Sequence, residues 1–186
     1  MILNFSSYGA KSSGQVLTGD RIYLRAFKIE DLGLLRQLHQ NPQVAKSTID
    51  SIQSNGIVKK HLVEFIDHQK QYGFSQMAVF ERENNKFIGR AGLTKRALNA
   101  QIGQQVEIRF AFLPEFWGCG FASESCEVLI NFANNNLKLS KIAAANSTVN
   151  ESSAKVLTKF GFKHIQNIIP QGYGKDEETR YWELEL

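Results

Sequence analysis

The sequence predicts a mixed α/β fold, a central mixed sheet of about seven strands flanked by about four helices. Segments of strand type, in which apolar and polar residues alternate or apolar residues run together, are interspersed with segments whose apolar residues recur every three or four positions. In addition, the glycine-containing residues 114–125 join a strand pattern directly to a helix pattern, which another strand pattern follows. Such strand-helix-strand crossovers are typical of layered folds with parallel strand pairs.

We expect residues 1–16 to form an N-terminal extension and residues 17–186 to form a single domain. The chain has 186 residues, of which 42% are hydrophobic and 22% charged, and this is enough to bury one substantial core. Neither a proline- or serine-rich linker nor a repeat of 20 to 50 residues suggests a domain boundary.

The domain is predicted to begin with one strand and two helices. Ile22 and Leu24 alternate with polar neighbours, which indicates a half-buried strand. The first helix ends at Asn41-Pro42 and carries its apolar residues at helical spacing: Leu34, Leu35 and Leu38. The second helix runs to about residue 71 and has one apolar stripe: Val58, Leu62, Phe65 and Ile66.

The remaining elements are predicted in the order three strands, helix, strand, helix and two strands. Strands are expected at residues 77–80, 87–93, 106–112, 141–145, 162–169 and 180–186, the first two as a hairpin. The longer helix spans 123–136 and has an apolar face of Cys126, Leu129, Ile130 and Ala133. In the shorter helix, Asn150 is the N-cap and Gly161 stands just after the last turn.

Composition excludes several classes of function. The 22 basic and 18 acidic side chains give a net charge of +4, a mild excess that does not suggest nucleic-acid binding as the main function. No apolar run is long enough for a membrane span, and the first residues lack the pattern of a signal peptide. With two cysteines, Cys119 and Cys126, and no metal-ligand spacing, we expect a soluble cytoplasmic protein without metal or membrane partner.

The most informative segment is the glycine loop at residues 114–125. Gly118 and Gly120 let backbone amides approach an anion, and the following helix adds unpaired N–H groups and a positive dipole end. Two familiar phosphate loops do not fit, since the GxxxxGK lysine is absent and GxGxxG would need Gly or Ala at Ser123. From glycine spacing alone, a simple strand-to-helix turn is an equally good interpretation.

Four segments in order carry a resemblance to a known family: TGDRIYLRAFKIEDL, NPQV, VEIRFAFLPEFWGCGFASE and NSTVNESSAKVLTKFGF. Together they resemble the GNAT superfamily of acyl-CoA N-acetyltransferases, and within it the RimJ/RimL-like branch of ribosomal-protein N-terminal acetyltransferases. The resemblance covers residues 17–186. It implies a GNAT-like fold, acetyl-CoA as co-substrate and an amine as acceptor.

The resemblance also implies a coenzyme A site. The pyrophosphate would lie on backbone amides of Trp117, Gly118, Cys119, Gly120, Phe121, Ala122 and Ser123. Family members splay the central strand from the next parallel one, so pantetheine would lie along Phe110 and Phe112 and hydrogen-bond their backbone. Asn150 and Ser153 would face the pantetheine arm and the thioester. The aromatic residues Phe116, Trp117 and Phe121 could pack on the coenzyme or belong to the core.

The chain departs from the family pattern at three positions. Glu115 stands where the superfamily has a basic residue or glutamine, a change that binding through backbone amides should survive. Leu157 stands where many members have a tyrosine that protonates the departing thiolate, so another group or water must do this. Arg109 replaces a usually small residue beside the acetyl site, which alters the expected shape of the substrate pocket.

Acetyl transfer to an amine requires a neutral nucleophile, a polarised thioester carbonyl and a proton for the thiolate. Glu107 matches a carboxylate of the RimJ/RimL-like branch and is the candidate base; it could instead be a solvent-facing carboxylate or a partner of Arg109. Ser153 could donate to the thioester oxygen or thiolate, or could cap its helix. Cys119 lacks an adjacent histidine and is not expected to be a nucleophile. His39, His61, His68 and His164 are interpreted as surface residues without a metal.

The function predicted from the sequence is direct transfer of acetyl from acetyl-CoA to a primary amine. An α-amine is about a tenth neutral at pH 7, far more than a lysine side chain, so a protein N-terminus is the favoured acceptor. Two alternatives remain: acetylation of a small amine such as an aminoglycoside, polyamine or amino acid, and a non-catalytic acyl-CoA-binding module. The loops around 40–60, 95–104 and 170–179 carry no motif that names the acceptor, and either a monomer or a homodimer is compatible with the sequence.

Overall fold

Eight strands in one sheet, with helices on both faces, make up the fold of the computed structural model, which describes residues 15–47, 52–169 and 178–186. The strands are β1 (Val16–Thr18), β2 (Ile22–Ala26), β3 (Gln76–Glu81), β4 (Phe87–Ala97), β5 (Gln104–Phe112), β6 (Lys141–Ser147), β7 (Lys163–Ile168) and β8 (Thr179–Glu185). The helices are α1 (Leu32–His39), α2 (Pro42–Ser47), α3 (Asn55–Tyr72), α4 (Phe121–Asn135) and α5 (Glu151–Lys159). The prediction of a mixed α/β fold is confirmed.

The strand order is β1-β2-β3-β4-β5-β6-β8-β7, and every pair is antiparallel except β5 with β6. Helix α4 connects these two parallel strands, which is the predicted crossover. The extra strand arises because the opening pattern forms a hairpin, β1 with β2, whose Gly19 amide donates to the carbonyl of Ile22. The N-terminal extension predicted for residues 1–16 lies, up to residue 14, outside the described residues.

The extra helix is α2, which begins where the sequence predicts only the end of α1. Asn41 accepts hydrogen bonds at Oδ1 from the amides of Gln43 and Val44, and Pro42 occupies the first helical position. A side-chain cap followed by proline is a helix start as well as a helix stop. The Asn-Pro pair therefore ends one helix and begins the next.

The two faces of the sheet bury separate apolar clusters. One face packs against α4 and α5, and its cluster includes Ile108, Leu129 and Leu157. The opposite face packs against α1 and α3, with Leu38 and Leu62 in its cluster. Helices on both faces of a single sheet form three layers. None of the helices in the described ranges is long and apolar enough to cross a membrane.

The sheet opens between β5 and β6. The parallel ladder consists of two residue pairs, Glu107 with Ala143 and Ile108 with Ala144. Beyond them β5 continues to Phe112 along β4, and β6 continues to Ser147 along β8. The expected splay of the central strand from its parallel neighbour is thus present, and it leaves a V-shaped gap that begins after Ile108.

Candidate active site

The glycine loop leads from the end of β5 to the N-terminus of α4. Gly118 and Gly120 have φ angles of +75° and +85°, and Gly120 is the residue before the first turn of the helix. Such positive φ angles favour glycine over residues with a Cβ atom. The first turn of a helix has amides without an intrahelical partner, so the loop and α4 present N–H donors and a positive dipole end at one place.

A cavity of about 360 Å³ extends from this loop into the gap between β5 and β6. We call it the loop cavity. Among its lining residues are nearly all those predicted to bind the coenzyme: Phe110, Phe112, Trp117, Gly118, Gly120, Phe121, Ala122, Ser123 and Asn150. Cys119 is not in the wall; its side chain is exposed, and its Sγ lies 3.6 Å from the carbonyl oxygen of Trp117.

Trp117 contributes a contact that the sequence does not predict. Its indole Nε1 donates a hydrogen bond to the carbonyl oxygen of Phe112 at 2.7 Å, on the edge of β5 that the gap exposes. Trp117 as a whole residue is 44% exposed, so the core interpretation is wrong for it, whereas it is confirmed for Phe121, which is buried. An amide of a ligand bound beside Phe112 would therefore share the Phe112 carbonyl oxygen with the indole N–H of Trp117.

Arg21, in the turn between β1 and β2, holds the glycine loop and α4 together. Its Nη1 donates to the carbonyl of Cys119 at 3.0 Å, and its Nε forms an ion pair with Glu124 Oε2 at 3.0 Å. The guanidinium also lies 4.7 Å from the centre of the Phe121 ring. Glu124 Oε1 in turn accepts hydrogen bonds from the backbone amides of Arg21 and Ile22. This arginine fixes a loop carbonyl and the first helical turn at the same time.

A small cavity of about 50 Å³, which we call the apex cavity, lies where the gap begins. It shares Ser47, Phe110, Asn150 and Ser153 with the loop cavity, so the two are adjacent. Asn150 caps α5 through Oδ1, which accepts the Ser153 amide at 3.0 Å, as the sequence predicts. Within the described part of the chain, Ser153 Oγ has no hydrogen-bond partner, so this hydroxyl is available to a ligand.

A third cavity, of about 270 Å³, lies on the opposite face of the sheet beside α3 and β4. We call it the arginine cavity, because Arg90, Arg96 and Arg109 line it together with His39, His61, Glu64, Phe65, His68, Thr94 and Ala97. Arg90 and Arg109 also line the apex cavity. The three cavities therefore adjoin one another, and Arg90 and Arg96 were not predicted as site residues from the local sequence pattern. A charged residue within the apolar run FIGRAGL is the signal that could have found Arg90.

Glu107 lies in the first of the two residue pairs of the parallel ladder, one residue before the last pair and the gap. Its side chain is fully buried, so the interpretation as a solvent-facing carboxylate is wrong. Its Oε2 is 3.9 Å from Nε of Arg96, which lines the arginine cavity. Burial raises the pKa of the nearby Tyr181 phenol, and the carboxylates of Glu183 and Glu107 raise it further. Glu107 thus contacts Arg96, which lines the arginine cavity, but is not itself among the described lining residues of that cavity.

Two histidines predicted at the surface are instead structural. His68 uses both ring nitrogens: Nδ1 donates to the carbonyl of Phe74 at 2.6 Å, and Nε2 accepts from the amide of Lys95 at 3.0 Å. Burial lowers the pKa of His68, so its ring is neutral at pH 7. His39 is buried and accepts at Nε2 from Arg90 Nε at 3.1 Å. Within the described ranges, no three His, Cys, Asp or Glu side chains gather as a metal site.

Comparison with known proteins decides the family. The sequence pattern of the family described as "Acetyltransferase (GNAT) domain" matches residues 21–163, which is most of the chain. The chain belongs to the GNAT acetyltransferase family. It is an acetyl-CoA-dependent N-acetyltransferase. One relative, the uncharacterized N-acetyltransferase YoaA of Bacillus subtilis, is 28% identical over 149 residues. The match covers 80% of this chain and 82% of YoaA.

Solved structures of other acetyltransferases share the fold of this protein. An acetyltransferase from Agrobacterium tumefaciens superimposes with a TM-score of 0.77 at 17% identity, over 95% of this chain and 97% of that one. RimL, the ribosomal L7/L12 alpha-N-protein acetyltransferase, superimposes in its complex with coenzyme A with a TM-score of 0.75 at 17% identity. That alignment covers 92% of this chain and 98% of RimL.

Removal of the Arg21 side chain is expected to weaken acetyl-CoA binding by the acetyltransferase. Arg21→Ala should raise the Kd about tenfold, because the variant loses a charge-assisted hydrogen bond to the loop and an anchor of α4. Calorimetric titration measures this Kd. Arg82→Ala is the matched control, since Arg82 donates to the carbonyls of Gly19 and Asp20 in the same turn. Equal loss of affinity in both variants would contradict a specific role of Arg21.

Replacement of Cys119 is expected to leave the acetyltransferase active. Direct transfer needs no acyl-enzyme, and the Cys119 thiol lies outside the three cavities, while burial raises the pKa of the Cys126 thiol and keeps it protonated. Cys119→Ala should therefore keep most of kcat in a steady-state assay of coenzyme A release. A loss of more than about a hundredfold in kcat, with unchanged affinity for acetyl-CoA, would point to covalent catalysis.

Proposed function

We propose that this enzyme acetylates an α-amine, and that a protein N-terminus is its acceptor. The observation that carries this proposal is the arrangement of three adjoining cavities around the start of the gap between β5 and β6. A thioester at that point can be reached by its coenzyme from one face and by an amine from the other. Among proteins of this fold, RimL is named as an acetyltransferase of a ribosomal protein's α-amine.

Coenzyme A would enter through the loop cavity. Its pyrophosphate would accept hydrogen bonds from amides between Trp117 and Ser123, where the glycine loop and the start of α4 converge. Pantetheine would run along Phe110 in the gap and share the Phe112 carbonyl with the indole of Trp117. The thioester would then lie in the apex cavity, within reach of Asn150 and Ser153.

In the proposed reaction, the amine nitrogen attacks the carbonyl carbon of the thioester. The new C–N bond forms as the C–S bond breaks; the ammonium proton passes to a base, and coenzyme A leaves as a thiolate that takes up a proton. Glu107 is proposed as the base, acting through water because it is buried behind Arg96. Ser153 Oγ is proposed to donate to the thioester oxygen or to the thiolate.

A small-molecule amine is the second candidate acceptor. The arginine cavity, at about 270 Å³, has the size of a pocket for a small metabolite. An assay of coenzyme A release with a panel of N-terminal peptides and small amines tests the two candidates. Faster turnover of peptides supports the protein N-terminus, and turnover confined to small amines would replace it by the second candidate.

A further inference from the structure

We propose that the acceptor amine carries an anionic group, a carboxylate or a phosphate, a few ångströms from its nitrogen. This inference rests on the proposed function, since it assumes that the arginine cavity receives the acceptor. It concerns the charge of the acceptor, which the family membership leaves open.

The charge of the arginine cavity is the first argument. Among its described lining residues, three arginines stand against one carboxylate, Glu64, which is half-exposed and 3.8 Å from the ammonium of Lys60. Arg96 also forms an ion pair with the buried Glu107, so the three arginines that line the cavity outnumber these two carboxylates, Glu64 and Glu107. A cleft lined by one sign of charge concentrates ligands of the opposite sign.

The position of Arg90 and Arg109 is the second argument. Both line the apex cavity as well as the arginine cavity, so they flank the point where the amine meets the thioester. Reacting atoms must come within about 3 to 3.5 Å of each other. An anionic group one or two bonds from the nitrogen would then lie between Arg90 and Arg109 and contact both, since planar guanidinium groups suit carboxylate and phosphate.

The way in which Arg90 is held is the third argument. Arg90 as a whole residue is 3% exposed, and its guanidinium donates to His39 Nε2 at 3.1 Å and to Gln76 Oε1 at 2.7 Å. These bonds fix its orientation before a ligand arrives, so that little side-chain entropy is lost on binding. Arg109 is partly exposed and can adjust to the ligand.

The chemistry of the reaction agrees with this arrangement. Neighbouring positive charges lower the pKa of an amine and so favour the neutral form that attacks the thioester. The same charges repel a simple ammonium ion, and this repulsion weakens the binding of polyamines and other cationic acceptors. A nearby carboxylate or phosphate offsets the repulsion, which makes an acidic peptide N-terminus or a free amino acid a suitable acceptor.

The test compares acceptors that differ in the anionic group. In the peptide arm, C-terminally amidated tetrapeptides beginning with aspartate or asparagine are compared; in the small-molecule arm, alanine is compared with alaninamide. Rates are expressed per neutral amine, because the amine pKa differs within the second pair. We expect kcat/KM to be at least about tenfold higher for the anionic member in one arm, and that arm identifies the source of the anionic group.

Arg109→Gln should reduce this preference to less than about threefold, because it raises the KM of the anionic acceptor more than that of the neutral one. Arg109→Lys should restore part of the preference, because it keeps the charge. Lys70→Gln is the matched control, since Lys70 lies on the exposed side of α3 with its side chain 73% exposed. Thermal melts establish that each variant is folded.

Two results would overturn the proposal: equal use of anionic and neutral acceptors in both arms, or a preference that persists in Arg109→Gln. Either would leave acetyl transfer itself intact. By contrast, no coenzyme A release with any of the four acceptors would overturn the proposed function and this inference with it.

Discussion

Glu107→Gln is expected to lower kcat for an α-amine acceptor by about 10²-fold or more at pH 7, the usual contribution of a general base. The substitution keeps the shape of a fully buried side chain and removes the charge that faces Arg96 at 3.9 Å. The fall should shrink as pH rises, because above about pH 8 an α-amine is largely neutral without help. Steady-state rates between pH 6 and 9 measure both effects.

Glu183→Gln is the matched control for Glu107→Gln. Glu183 pairs with Ala143 across β6 and β8, in the same row of the sheet as Glu107, and its carboxylate is 2.9 Å from the ammonium of Lys141. It is not among the described residues that line the three cavities, so kcat should be unchanged. A folded Glu107→Gln enzyme with the parent kcat at every pH would leave water as the base. A change confined to the acceptor KM would make Glu107 an electrostatic anchor.

Gly120→Val is expected to abolish measurable binding of acetyl-CoA, with Kd rising by about a hundredfold or more as hydrogen bonds to charged phosphate are lost. Gly120 has φ of +85°, a conformation that a β-branched residue rarely adopts, and its Cβ would lie 3.3 Å from Nη2 of Arg21. The positive φ angle strains valine at this position, so we expect the loop to change its backbone conformation and to displace its amides. Calorimetric titration of the folded variant measures the loss.

Gly103→Val is the control that separates backbone strain from loss of the site. Gly103 has φ of +72° and lies between β4 and β5, and a Cβ atom added there would meet no atom of the described residues within 4 Å. Both variants should lose a similar amount of stability, about 1 to 3 kcal/mol, whereas only Gly120→Val should lose acetyl-CoA. Parent-like binding by folded Gly120→Val would show that the pyrophosphate does not lie on this loop.

Local sequence signals predicted most of the secondary structure, because caps and apolar periodicity act within a few residues. Asn150 and Gly161 mark the two ends of α5 as predicted. The amide of Ser153 donates a hydrogen bond to Asn150 Oδ1, and Gly161 has a φ angle of +84°. For the Asn41-Pro42 pair, the sequence pattern predicted the end of α1 but not the start of α2. A single Asn-Pro pair can end one helix and begin the next, and the sequence pattern indicated only the end.

The candidate site was predicted unevenly for the same reason. The residues of the glycine loop are consecutive, so their spacing and the helix that follows indicated an anion site before any long-range contact was known. The arginine cavity draws Arg90 and Arg96 from β4, Arg109 from β5 and the histidines from α1 and α3. Residues so far apart in the chain come together only through strand register and helix packing.

What the sequence determined by itself is therefore most of the elements, though not β1 or α2, together with the glycine loop and the resemblance to the acetyltransferase family. The tertiary structure decided where β5 leaves β6, that Glu107 is buried against Arg96, and that Arg90 and Arg109 flank the point where the cavities meet. The physical reason is that caps and turns depend on neighbours in the chain, whereas the gap and the charge of the cavity depend on pairing between distant strands.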